Sequence, residues 1–117
     1  MQIISMFALE RVEHWKTVLG INDWDIICST IDEDQVVDEL KGNTHGHEFV
    51  GIERNFQTQT GIIYHTRPLE EEDIIHELLH VRYPKWSEEK VDFWASLLVG
   101  NLTLNHARAM EYLLSTG

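Results

Sequence analysis

Residues 68–95 read Pro68-Leu69-Glu70-Glu71-Glu72-Asp73-Ile74-Ile75-His76-Glu77-Leu78-Leu79-His80-Val81-Arg82-Tyr83-Pro84-Lys85-Trp86-Ser87-Glu88-Glu89-Lys90-Val91-Asp92-Phe93-Trp94-Ala95, and the fold turns on how that stretch divides. Ile74, Ile75, Leu78 and Leu79 recur at helical spacing and make one apolar stripe. Four consecutive acids, Glu70 to Asp73, occupy the first turns, where the helix dipole favours negative charge. Pro84 cannot continue the hydrogen-bond ladder and stops this helix. Ser87 is a good N-cap for a second one. The second stripe runs through Val91, Trp94, Ala95, Leu98 and Leu102. Whether that helix continues through Gly100-Asn101 to Leu113-Leu114 or breaks near Gly100 stays open. The short connection between the two folds the second helix back against the first.

Upstream of this pair the chain gives one more helix and three extended runs. Ile4, Phe7, Ala8, Val12, Trp15, Val18 and Leu19 fall at helical spacing, and Gly20 is placed to end that helix. Residues 24–31 are rich in isoleucine and read as a strand, followed by an acidic stretch from Asp32 to Glu39. Residues 48–54 follow the turn signal Gly42-Asn43, and residues 61–66 make a third run. Three short strands in succession predict a small antiparallel sheet. The expected fold is therefore α+β: an N-terminal helix, a three-stranded antiparallel sheet, the histidine helix and a C-terminal glutamate helix.

At 117 residues the chain is expected to form one domain, residues 1–117. It is 43% hydrophobic and 25% charged, enough apolar matter for a modest core. The formal net charge of −11 argues against a phosphate-binding groove, which needs clustered Lys and Arg, so no nucleic-acid partner is expected. A single cysteine, Cys28, excludes an intramolecular disulfide. No basic-then-apolar leader and no apolar run long enough to span a bilayer is visible, so the expected compartment is the cytoplasm, without a membrane partner.

His76 and His80 are four residues apart and lie one turn from each other on a single helix face, so two imidazoles can grip one ion. A random chain of this length carries His-Glu-x-x-His on the order of a few times in a thousand. Glu77 lies beside such an ion without being a natural ligand, and is placed to take a proton from a metal-activated water and pass it to a leaving amine. A catalytic zinc site wants three protein ligands and an open position. No histidine follows His80 at short spacing, so a carboxylate is expected, from Glu88, Glu89 or Asp92. At about 100° per residue, Glu88 falls roughly 40° from the centre of the second apolar stripe, Asp92 roughly 80° and Glu89 roughly 140°. Glu88 is thus the preferred third ligand. Asp92 is placed to receive an imidazole N–H. The dipole alone would also account for acids in that first turn, so the choice among the three stays open.

His76-Glu77-x-x-His80 with a glutamate on the following helix resembles the gluzincin pattern of zinc metallopeptidases. The short chain and its element order resemble the soluble minigluzincins, minimal scaffolds similar to the catalytic core of the membrane CAAX-prenyl proteases. In those membrane enzymes the ligand glutamate is followed by an aspartate four residues on and an alanine three beyond. Glu88, Asp92 and Ala95 reproduce that spacing. The resemblance is specific in sequence only over residues 74–95. It implies Zn2+ held by His76, His80 and Glu88, Glu77 as general base, and a peptide or protein substrate. The gap from His80 to Glu88 is much shorter than in thermolysin-like enzymes, so their further substrate-binding motifs do not carry over.

Tyr64, His65, Arg82 and Tyr83 are the candidates for stabilising a developing oxyanion. Residues 61–66, just before the histidine helix, are the candidate edge for an extended substrate. The alternative to a peptidase is a non-catalytic zinc domain, structural, regulatory or latent, that uses the same residues. A three-histidine zinc ribonuclease lacks its third histidine here. Peptide deformylases use a similar histidine helix with a cysteine ligand, but their cysteine motif is not matched around Cys28. His45 and His47 read as loop histidines, and His14 and His106 receive no role. Cys28 reads as a small core residue.

Overall fold

A computed structural model of the chain describes residues 6–36 and 48–100. Ile4, His45, His47 and His106, the last three residues of the acidic stretch, the Gly42-Asn43 turn signal and the chain beyond Gly100 lie outside the described residues. The elements run α1 (Met6–Leu19), β1 (Asp25–Thr30), a single 3-10 turn (Glu33–Gln35), β2 (Val50–Asn55), β3 (Thr60–His65), α2 (Glu71–Arg82) and α3 (Glu88–Gly100). The expected α+β class, its order of helices and strands, and the stops at Gly20 and before Pro84 agree with this arrangement. No helix among the described residues is long and apolar enough to cross a membrane.

The end of α1 shows why Gly20 is needed there. Gly20 adopts φ +73°, and its N–H donates to Thr17 O at 3.2 Å while Ile21 N–H donates to Lys16 O at 2.9 Å. This pair of reversed bonds closes the last carbonyls of the helix, and a side chain at Gly20 would be strained in that left-handed backbone. The start of α2 is fixed differently. Asp73 accepts from the Glu70 N–H at 2.8 Å and from both Nη atoms of Arg67, at 2.6 and 2.8 Å. Burial raises the Asp73 carboxyl, but the Arg67 and Glu70 hydrogen bonds and the Arg67 charge outweigh it, leaving Asp73 below its ordinary range. Ser87 caps α3 as expected, its Oγ accepting from Lys90 N–H at 3.2 Å.

The sheet corrects the sequence expectation. Its order is β1-β3-β2: β2 and β3 pair antiparallel, but β1 and β3 pair parallel, so the sheet is mixed. β3 is the central strand. The physical reason is the long connection between β1 and β2, which lets β2 turn back at a distance and leaves a slot for β3 beside β1. A tight turn joins β2 to β3, with Asn55 Oδ1 accepting the N–H groups of Gln57 and Thr58 at 3.0 and 3.1 Å. Cys28, Ile63 and Ile52 stand opposite one another in register; Cys28 and Ile63 belong to the core and Ile52 packs against it. Gly61 permits this close packing, since a Cβ there would fall 2.9 Å from Ile26 Cδ1.

The helices cover the sheet with the residues that the two stripes supply. Trp15, Leu19, Ile74, Ile75, Leu78, Leu79, Val91 and Leu98 are fully buried together with Ile63. α2 packs on both α1 and α3. Arg11 pairs with Glu71, whose carboxylate also accepts from Trp15 Nε1 at 3.2 Å, and this ties the α1–α2 interface. At the α2–α3 turn Tyr83 stacks on Trp86 with ring centroids 4.1 Å apart; Arg82 covers the Tyr83 ring and Lys90 the Trp86 ring. The interleaved cations and rings hold the turn closed and bring the start of α3 beside the middle of α2.

Candidate metal centre

α2 buries Ile74, Ile75, Leu78 and Leu79 in the core, which leaves His76 and His80 on the half-buried flank facing α3. The sharp turn at Pro84 and the cap at Ser87 start α3 at the same level. Glu88, on the first turn of α3, reaches both rings: its Oε1 lies 2.6 Å from His80 Nε2 and its Oε2 lies 3.2 Å from His76 Nε2. The two Nε2 atoms are 3.2 Å apart. Ligand atoms of His76, His80 and Glu88 all fall within 4.8 Å of one another, and they form a group that could hold a metal ion.

The donor set fits such an ion. Tetrahedral ligands at about 2.0–2.1 Å from zinc stand about 3.3 Å from one another. The separations of His76 Nε2 from His80 Nε2 and from Glu88 Oε2 are both 3.2 Å, and the third, from His80 Nε2 to the other carboxylate oxygen of Glu88, is a direct hydrogen-bond contact of 2.6 Å. Asp92, one turn further along α3, lies with Oδ1 2.9 Å from His76 Nδ1. A proton on Nδ1 donates there and leaves the Nε2 lone pair pointing at the group. Burial holds His80 below the ordinary imidazole value, helped by the charges of His76 and Arg54 and opposed by Glu88, so the ring favours the neutral form that metals bind.

Glu77 is 5% exposed, unusual for a carboxylate. Burial, then the negative charges of Glu88, Asp73 and Asp92, push it up to about 8 against the pull of Arg54. It lines two adjoining clefts. One, about 500 Å³, is bounded by Glu70, Glu72, Asp73 and Asp92 on the side where α2 begins. The other, about 340 Å³, is bounded by Phe49, Val50, Gly51, Ile52 and Arg54. His76, Glu77 and Glu88 line both.

Glu88 and Asp92 therefore stand where the helical-angle ranking put them, while Glu89 is exposed and lines neither cleft. Other expectations change. β3 is paired on both sides and offers no free edge; the edge strand along the cleft is β2. Tyr64, His65, Arg82 and Tyr83 line neither cleft. Tyr83 is buried in the turn stack, and His65 is turned inward with Nδ1 2.8 Å from Arg67 O. The residue that sequence reasoning missed is Arg54. Its Nη1 donates to His80 O at 2.8 Å. The signal was present in the alternation Val50, Ile52, Arg54, which puts one cation on the strand face turned toward the helices. Comparison with known families, with characterised proteins and with solved structures finds no match to this chain.

Proposed function

We propose that the chain is a zinc-dependent peptidase of the gluzincin type, with zinc held by His76, His80 and Glu88 and with Glu77 as general base. The observation that carries this reading is the convergence of two imidazole Nε2 atoms and one carboxylate from two helices, with a buried carboxylate next in sequence to one of them. Zinc, when bound, supplies a Lewis acid that acidifies a water molecule and polarises a carbonyl. The chain does the rest. Asp92 fixes the tautomer and direction of the His76 ring. Glu77, shielded from bulk solvent, accepts the proton of the attacking water and returns it to the departing amine. A bound cation beside Glu77 favours its ionised form, which a base requires. The β2 edge offers main-chain groups to a substrate held in extended form.

One observation favours the same residues in a non-catalytic, structural or regulatory metal domain. Among the described residues, Tyr64, Tyr83 and His65, which would be natural oxyanion partners, lie outside both clefts. The experiment that separates the readings begins with metal content after purification, on the wild type, Glu88→Ala, Glu89→Ala and Glu77→Gln. About one zinc per chain is expected in the wild type, Glu89→Ala and Glu77→Gln, with a marked loss only in Glu88→Ala. A peptide-cleavage screen follows. Turnover by the wild type that Glu77→Gln abolishes is the peptidase outcome; zinc without turnover in either is the structural one. No zinc uptake, even from added metal, ends both.

A further inference from the structure

Arg54 is a cation placed beside the centre, where its charge reaches the buried Glu77 without a direct ion pair. Its Nη1 donates to a neutral group, the His80 carbonyl, and its guanidinium carbon lies 5.5 Å from the centre of the Phe56 ring. Among the described residues it forms no ion pair, whereas Arg67, the other cation on the cleft walls, is engaged by both Asp73 and Glu48. The two contacts hold the Arg54 head in one place, so much of the entropy cost of ordering a long side chain is already met by the fold. The remaining N–H donors of the planar fork suit a carboxylate, which it can bind with two parallel bonds. On the β2 side of its cleft Arg54 stands as the one charged group among Phe49, Val50 and Ile52, facing Glu77 and Glu88 on the helices, while Glu70, Glu72, Asp73 and Asp92 gather with Arg67 in the adjoining cleft.

We propose that Arg54 is a specificity-determining residue that binds a carboxylate of the substrate next to the bond under attack. The inference rests on the peptidase reading for its word "substrate", but the binding it describes does not need turnover. Arg54 holds the main chain of His80 and not its ring, which puts the guanidinium beside the metal-holding atoms and not upon them. The group it meets is therefore a neighbour of the scissile carbonyl, either a free C-terminus or an acidic side chain.

The test is binding, read with and without zinc, of three probes: tetra-alanine as the free acid, tetra-alanine amide, and an amidated tetrapeptide with one glutamate. Arg54→Gln, whose amide can still donate to the His80 carbonyl, is the matched variant. A carboxylate probe that binds the wild type about ten-fold or more tightly than tetra-alanine amide, with the difference erased in Arg54→Gln, is the expected result. Preference for the free acid alone identifies a C-terminus; preference for the glutamate peptide alone identifies an acidic side chain. Equal affinities in the wild type, absence of binding by all three, or a preference that survives Arg54→Gln overturns the proposal. Cleavage is scored separately, so carboxylate preference without hydrolysis removes the peptidase reading and leaves the site.

Discussion

The contact between His76 Nδ1 and Asp92 Oδ1, at 2.9 Å, decides which nitrogen of that ring is left for a metal. Asp92→Asn keeps the shape of the contact but offers an amide that can rotate to donate, and the ring loses its fixed tautomer. We expect zinc affinity to fall by about ten- to a hundred-fold, as for other groups that orient a liganding histidine. Competition with a chelator of known affinity measures it, and an unchanged affinity would remove Asp92 from the centre. This much of the site was legible in the sequence because a helix converts spacing into direction: four residues return a side chain to the same face. That arithmetic placed Glu88 and Asp92 toward α2 and turned Glu89 outward. Arg54 escaped it because the alternation Val50, Ile52, Arg54 gives only the face of the strand, and its place depends also on which strand borders the histidine helix.

At the scale of the element, the start of α2 is held by the Arg67–Asp73 pair and the Glu70 N–H. Since Asp73 lies below its ordinary value in the fold, the folded state holds its proton less tightly than the unfolded chain does. The stabilisation is fully present above the unfolded carboxyl value, near 3.9, and is lost as pH falls through the lower folded value. Asp73→Asn should therefore cost about 1.5–3 kcal/mol at pH 7, the worth of hydrogen bonds to a charged group. The gap between wild type and variant should close in acid below about pH 4. Urea unfolding at several pH values reads this directly, and a gap independent of pH would assign the loss to packing instead. Glu71 is shifted the same way: burial raises it, but Arg11 and Trp15 more than compensate. Acid should thus loosen the α1–α2 interface together with the start of α2.

At the scale of the molecule, three helices and three strands were legible as pieces, the strand bounds within a residue or two, but the sheet they compose was not. Strands adjacent in sequence pair with one another in most proteins, and that expectation made the sheet antiparallel throughout. Nothing within β1 distinguishes a strand that pairs parallel with β3 from one that pairs antiparallel with β2; the difference lies in a connection of some twenty residues. The same topology has a consequence in time. The β2–β3 pairing closes a short turn, whereas β1 must find β3 across a long loop, so the hairpin should assemble first and β1 should dock late. Two substitutions mark the order. Asn55→Ala removes the oxygen that gathers the turn N–H groups and should chiefly slow folding, while Cys28→Ala thins the buried face of β1 and should chiefly hasten unfolding. Stopped-flow kinetics on the two variants reads the sequence of events, and the opposite partition would mean that the parallel pair forms before the turn. If the order holds, a chain still folding has its hairpin in place while one side of β3 is bare, and the parallel pairing of β1 is the step that closes that side.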